Sequence, residues 1–366
     1  MLFKSITEKI RNKIQSIAYN PEKGIFLGYG ENIINQQKTM VYIPWDTANR
    51  HTYILGATGS GKTVLLRNIA YQIVKAGYGM IYFDMKGPPT DGAMKDIWLA
   101  CHENNRMQDF TYLSPVETDY LKSATWNPLI YGDAPTIANK IFDALQNLTP
   151  SAQFYEDVKF ELFSKLISAA KTTNEIYTFG MLADIMATQE DLQKFAEKIK
   201  SKKEKKAILD IVYEWQKNPM QFIKNLKGTA VSMQKLSTGL PAKIVETKNP
   251  TLDLKKAIET QKIIFCFFPS LKAKESMRQI SKMILSEIKT IVGEILSTDK
   301  KQKTKFFIVI DEFEEMIFPA IKDLFNKARE AGINLIIAHQ TIADVNYETG
   351  GESFGKSIID NTGTKI

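Results

Sequence analysis

The chain has 366 residues, 44% of them apolar and 24% charged, a globular composition with room for two or three domains. Its longest apolar runs, "IIFCFF" and "FFIVI", fall far short of the roughly 18 residues that cross a bilayer, and no signal-peptide pattern opens it. The net charge of +7 suits a polyanionic partner, while two isolated cysteines and three histidines argue against a zinc site or disulfide framework and for a reducing, cytosolic compartment.

At the start, Leu2, Phe3, Ile6, Ile10, Ile14 and Ile17 recur at steps of three and four with Lys4, Lys9, Arg11 and Lys13 among them. This spacing predicts a basic amphipathic helix in a linker over residues 1–23, packed on its own domain or lying on a membrane surface. From there the texture is α/β. "HTYILG" (51–56), "GMIYFD" (79–84) and "DFTYLS" (109–114) read as buried strands, with helices over 62–76 and 91–104 between them. Between 133 and 240 strand patterns vanish, and helices are expected over 134–147, 152–171, 188–199, 203–217 and 219–236. The lysine run "KIKSKKEKK" (198–206) in this stretch is either a solvated face or a DNA contact. Strands return at 262–270, 305–311 and 333–339, with a long helix over 273–296, and "SIIDNTGTKI" reads as an apolar run and a turn entering one more strand. The expected fold is therefore α/β, a mostly parallel sheet formed by 24–132 and 241–366, with an all-α domain inserted at 133–240.

"GATGSGKT" is a phosphate-binding loop between a predicted strand and a predicted helix. Gly56, Ala57, Thr58, Gly59, Ser60 and Gly61 would turn backbone N–H groups onto phosphate oxygens. Lys62 would meet the β- and γ-phosphates of ATP, and Thr63 would offer its hydroxyl to Mg²⁺ at the positive end of the helix. Such a site also needs a carboxylate at a neighbouring strand end, and Asp311 closes "FFIVID". The adjacent Glu312 either accepts a proton from the attacking water or caps the next helix. In "PAIKDLFNKAREAG", Ile321, Leu324, Phe325 and Ala328 share a helix face, with Pro319 before it and Gly332 after it. Arg329 at its end either caps the helix dipole or reaches a neighbouring subunit's γ-phosphate. "INLIIAHQT" ends at the same catalytic edge, where His339 and Gln340 sit, and the Gln340 amide can meet the water or the γ-phosphate.

Together these segments resemble the type IV secretion coupling proteins, the TraD/TraG-like group of the FtsK/HerA-type ring ATPases, from about residue 24 to 366. The resemblance runs through "GIFLGYG", "VYIPWDTANRH" with His51, "ILGATGSGKT", "FDMKG", "WNPL" and "VIDEF…AREAG…AHQT". It implies a RecA-like nucleotidase in which Asp311 ligates Mg²⁺, Glu312 is the catalytic base, Arg329 acts in trans and Gln340 senses the γ-phosphate. It also implies a homo-hexamer at the cytoplasmic face of the bacterial inner membrane. That ring would bind single-stranded, relaxase-linked DNA, relaxosome or effector proteins, and type IV secretion channel components. Family members usually start with transmembrane helices and continue past "NTGTKI" with more strands, so the resemblance implies a missing or separate membrane anchor. Two other functions fit the same motifs: a HerA/FtsK-like DNA translocase in chromosome processing, and an ATP-gated recruitment platform that does not pump.

Overall fold

In the computed structural model, residues 20–86, 92–145, 153–298, 305–318, 320–343, 345 and 352–366 are described. The helix expected over residues 1–17 lies outside them. A hairpin comes first, β1 (Gly24–Glu31) antiparallel to β2 (Lys38–Pro44). Then β3 (Thr52–Leu55), α1 (Lys62–Lys75), β4 (Gly79–Asp84), α2 (Ala93–Glu103) and β5 (Phe110–Leu113) alternate. A helical stretch follows: α3 (Ala134–Leu145), α4 (Gln153–Lys171), α5 (Phe179–Ile185), α6 (Gln189–Lys198), α7 (Lys202–Lys217), α8 (Pro219–Leu236), α9 (Gly239–Val245) and α10 (Leu254–Glu259). The chain then returns to strands with β6 (Ile263–Phe267), α11 (Ser270–Ser297), β7 (Phe306–Ile310), α12 (Ile321–Lys327) and β8 (Ile333–His339), and finishes with α13 (Glu352–Asp360) and β9 (Thr364–Lys365).

Seven strands form one sheet in the order β5-β6-β4-β7-β8-β3-β9, and every pairing in it is parallel. The fold class is α/β, as the alternation of strand and helix patterns implies. A parallel strand covered on both faces needs apolar residues on both, which is why these strands read as solid apolar runs. Met80, Tyr82, Phe307, Val309 and Ile336 pack on one face with Leu66 and Ile69 of α1 and Ile97 of α2. Ile81, Phe83, Ile308, Ile310 and Ile337 pack on the other with Met277, Ile280 and Ile284 of α11. That second core runs on without a break into the helical stretch through Ile141, Phe163, Phe179 and Ile208.

The "WNPL" segment stitches this junction. Trp126 takes a backbone hydrogen bond to Ile244 O and donates its indole N–H to Glu287 of α11. Asn127 donates to the carbonyls of Tyr177, just before α5, and Thr247, just after α9. The Lys140 ammonium, buried, bonds the Tyr131 carbonyl and forms an ion pair with the equally buried Glu287.

Four helices differ from the sequence expectation. The helix expected through "AREAG" stops at Lys327, because the chain turns back there. Ile333 N donates to Ala328 O, and Gly332 adopts φ 75°, a left-handed conformation that glycine takes without steric cost. The helices α5, α9 and α10 have only six or seven residues each, too few to display a helical period, so pattern reading passes over them.

Candidate functional site

In an open parallel sheet, ligands bind beyond the carboxyl ends of the strands. Four neighbouring strands, β3, β8, β7 and β4, deliver the phosphate loop, Gln340, the Asp311–Glu312 pair and the Asp84–Lys86 segment to that edge in spatial order. Thr58, Gly59, Lys62, Thr63, Asp84, Lys86, Asp311, Glu312, His339 and Gln340 line one cleft there, of about 300 Å³.

The loop's glycines are used as the pattern demands. Gly61 sits at φ 95° as the residue that opens α1, and a Cβ on Gly56 would come within 2.5 Å of the Ser60 hydroxyl. The Lys62 ammonium donates to the carbonyls of Gly56, at 2.5 Å, and Ala57, at 3.1 Å.

Thr63 and Asp311 are 248 residues apart in sequence and meet directly, the Thr63 hydroxyl donating to Asp311 Oδ2 at 2.7 Å. Burial lifts the Asp311 carboxyl above the usual carboxylate range against the pull of that hydroxyl, and the negative charges of Asp84 and Glu312 push the same way. A hydroxyl and a buried carboxylate crowded by further carboxylates form a hard, oxygen-only donor set that fits Mg²⁺.

Glu312 holds a left-handed backbone, φ 58° and ψ 57°, unusual for a residue with a side chain. It begins a 3₁₀ turn over Phe313–Met316, yet its side chain makes no capping bond. The carboxylate points instead to Lys86, whose Nζ lies 2.8 Å from Oε1. Glu315 in the same turn is held by Arg278 and Lys274 of α11. At the end of β8, Gln340 Oε1 accepts a hydrogen bond from the Thr58 hydroxyl at 2.9 Å, so this amide touches the phosphate loop itself. His339 is buried, and its ring nitrogens contact Tyr53 Oη and Thr341 O.

Arg329 is elsewhere. It is exposed on the turn before β8, at the opposite edge of the sheet, roughly 20 Å from Gln340 along the strand. There it lines a second cleft of about 740 Å³ with Arg50, His51, Asp360 and Thr362. The structure thus gathers the loop, Asp311, Glu312 and Gln340 and leaves Arg329 out of their cleft. Sequence reasoning did not single out Asp84 and Lys86. The available signal was an acid closing an apolar strand, the feature already noted at Asp311, here with a lysine two residues on.

A family model described as "Type IV secretion-system coupling protein DNA-binding domain" matches residues 36–366. Among solved structures, the plasmid coupling protein TrwB in complex with ADP and Mg²⁺ is similar at 19% identity, covering 89% of this chain and 72% of that one with a TM-score of 0.62. TrwB with the non-hydrolysable GTP analogue GDPNP gives 18%, 96%, 75% and 0.58 for the same quantities. VirB4 of Thermoanaerobacter pseudethanolicus gives 16%, 96%, 85% and 0.56. Identities this low establish a common fold alone. A search of curated proteins by sequence finds no match.

Proposed function

The chain belongs to the type IV secretion-system coupling protein DNA-binding domain family, and from that membership we propose that it is an ATP-hydrolysing coupling protein. It recruits DNA or nucleoprotein, with protein effectors as further cargo, and drives it into a secretion or conjugation channel. The observation that carries this reading is one cleft holding the Thr63–Asp311 contact, Glu312 and a glutamine hydrogen-bonded to the phosphate loop.

In this reading the backbone N–H groups of residues 56–61 and the Lys62 ammonium bind the phosphates. Thr63 and Asp311 hold Mg²⁺, which when bound offsets phosphate charge. Glu312 accepts a proton from the attacking water, and Gln340 orients that water or the γ-phosphate. The Thr58–Gln340 contact gives the loop a way to report the γ-phosphate to β8. Arg329 serves the site of the next subunit in a homo-hexameric ring, a reading supported by its exposed position away from its own cleft. The ring works at the cytoplasmic face of the inner membrane, where the channel opens.

Replacing Glu312 with Gln should lower ATP turnover by roughly 100-fold or more, the scale of a lost general base, while nucleotide binding persists. The same variant should fail to support transfer in cells. Normal transfer with abolished hydrolysis would favour the recruitment platform over the motor.

A further inference from the structure

Lys86 and Glu312 form an ion pair between two different strand ends, 226 residues apart in sequence. The lysine side chain is 64% exposed and the glutamate only 18%, so the pair joins a solvent-facing ammonium to a largely buried carboxylate. The lysine's starting point is fixed, because its backbone N–H is held by the Asp84 carboxylate at 3.0 Å. Among the residues that line the cleft, Asp84, Asp311 and Glu312 are the carboxylates, and Lys62 and Lys86 are the lysines. Lys62 reaches the phosphate loop, which leaves Lys86 as the ammonium on the carboxylate side.

A triphosphate placed on the loop beside Glu312 brings its terminal phosphate to that side of the cleft, and adds negative charge where three carboxylates already stand. Phosphate and carboxylate compete for one ammonium, and the more highly charged group wins where geometry allows. A diphosphate ends one phosphate earlier and sets up no such competition.

Resting on the nucleotide-site reading above, we propose that Lys86 distinguishes tri- from diphosphate on the carboxylate side of the cleft. It exchanges its Glu312 partner for the γ-phosphate and so releases the Glu312 carboxylate only when a triphosphate is present. Lys86 acts on hydrolysis as a positioning residue, through Glu312. Its contact with the nucleotide is a binding contact.

Equilibrium binding of ADP and of the non-hydrolysable ATP analogue ADPNP, each with Mg²⁺, tests this without any turnover. For Lys86→Ala the expected result is a loss of ADPNP affinity of roughly tenfold, the scale of one charge-assisted hydrogen bond, with ADP affinity unchanged within about twofold. Lys86→Arg should restore most of the preference. Glu312→Gln should strengthen ADPNP binding relative to ADP, because the competing carboxylate is gone, and this gain should vanish in the Lys86→Ala background. Equal losses for both nucleotides in Lys86→Ala, or no loss for either, would overturn the proposal. A wild-type protein that binds neither nucleotide would instead overturn the nucleotide-site reading, so the two failures are separable.

Discussion

His51 shows how a single residue can tie distant elements together. Its Nδ1 accepts from the Leu335 backbone N–H, so Nε2 carries the proton and donates to Phe325 O. One neutral imidazole thereby joins the entry to β3 with β8 and α12. Burial pushes it down to about 4 from the ordinary 6.5, with the nearby Arg329 charge pushing the same way. A folded-state value below the unfolded one means that the unfolded chain takes up the proton first. Stability from this residue is therefore whole above about pH 6.5 and falls as pH drops toward 4. Between pH 7 and pH 5 the loss should be roughly 2 kcal/mol. Denaturant unfolding at both pH values checks this against His51→Asn, which should be less stable at pH 7 and show a smaller drop. At this scale the sequence was informative wherever a motif dictates backbone conformation, as for the loop glycines, and wherever an acid ends an apolar run, as at Asp311. It was silent on Lys86, since its partner Glu312 becomes a neighbour only through the β4–β7 pairing.

Elements carry the connection between the nucleotide edge and the helical stretch. Helix α11 meets Glu315 through Lys274 and Arg278 near its start, then Lys140 through Glu287, then Asp143 through Lys289 at 3.0 Å. The Lys140–Glu287 pair is buried, which pushes Glu287 up and Lys140 down, and each charge offsets the shift of the other. Lys140→Met would strand the Glu287 charge and should cost about 3–5 kcal/mol of unfolding free energy. Adding Glu287→Leu should recover part of that loss, and denaturant melts of the single and double variants read the difference.

The lysine run is an element-scale question too. Lys202 and Lys203 open α7, so their charges face the positive end of the helix dipole and are slightly unfavourable there. Replacing Lys202, Lys203 and Lys206 with Gln should leave thermal stability within about 0.5 kcal/mol. If the run contacts DNA, the same change should weaken non-specific binding and flatten its salt dependence. An unaltered salt slope would make the run a solvated face. Helix and strand identities were readable here because α8 is long enough to show its period and β8 is a short, solid apolar run. The early end of α12 was not readable, since it depends on the turn that brings Ile333 back to Ala328.

On the scale of the whole molecule, the sheet order explains why one chain presents two unlike edges. The strand order puts β8 between β3 and β7, which brings Gln340 between the loop and the acids, and the parallel direction of β8 puts Arg329 at the far edge. Apolar runs disclose that strands exist but carry no information on their order, so the parallel sheet was legible, and with it the opposite edges of Arg329 and Glu312, while the seat of Gln340 between the loop and the acids was not. A chain built this way holds Arg329 away from its own cleft, and in the proposed ring that arginine serves the cleft of the next subunit. Mixing Glu312→Gln with Arg329→Ala subunits tests that directly. In a mixed ring, an Arg329→Ala subunit keeps an intact cleft and receives an arginine from its Glu312→Gln neighbour. Each variant alone should be nearly inactive as an ATPase, and the mixture should recover a clear fraction of wild-type turnover. No recovery in a ring shown to contain both variants would contradict the account.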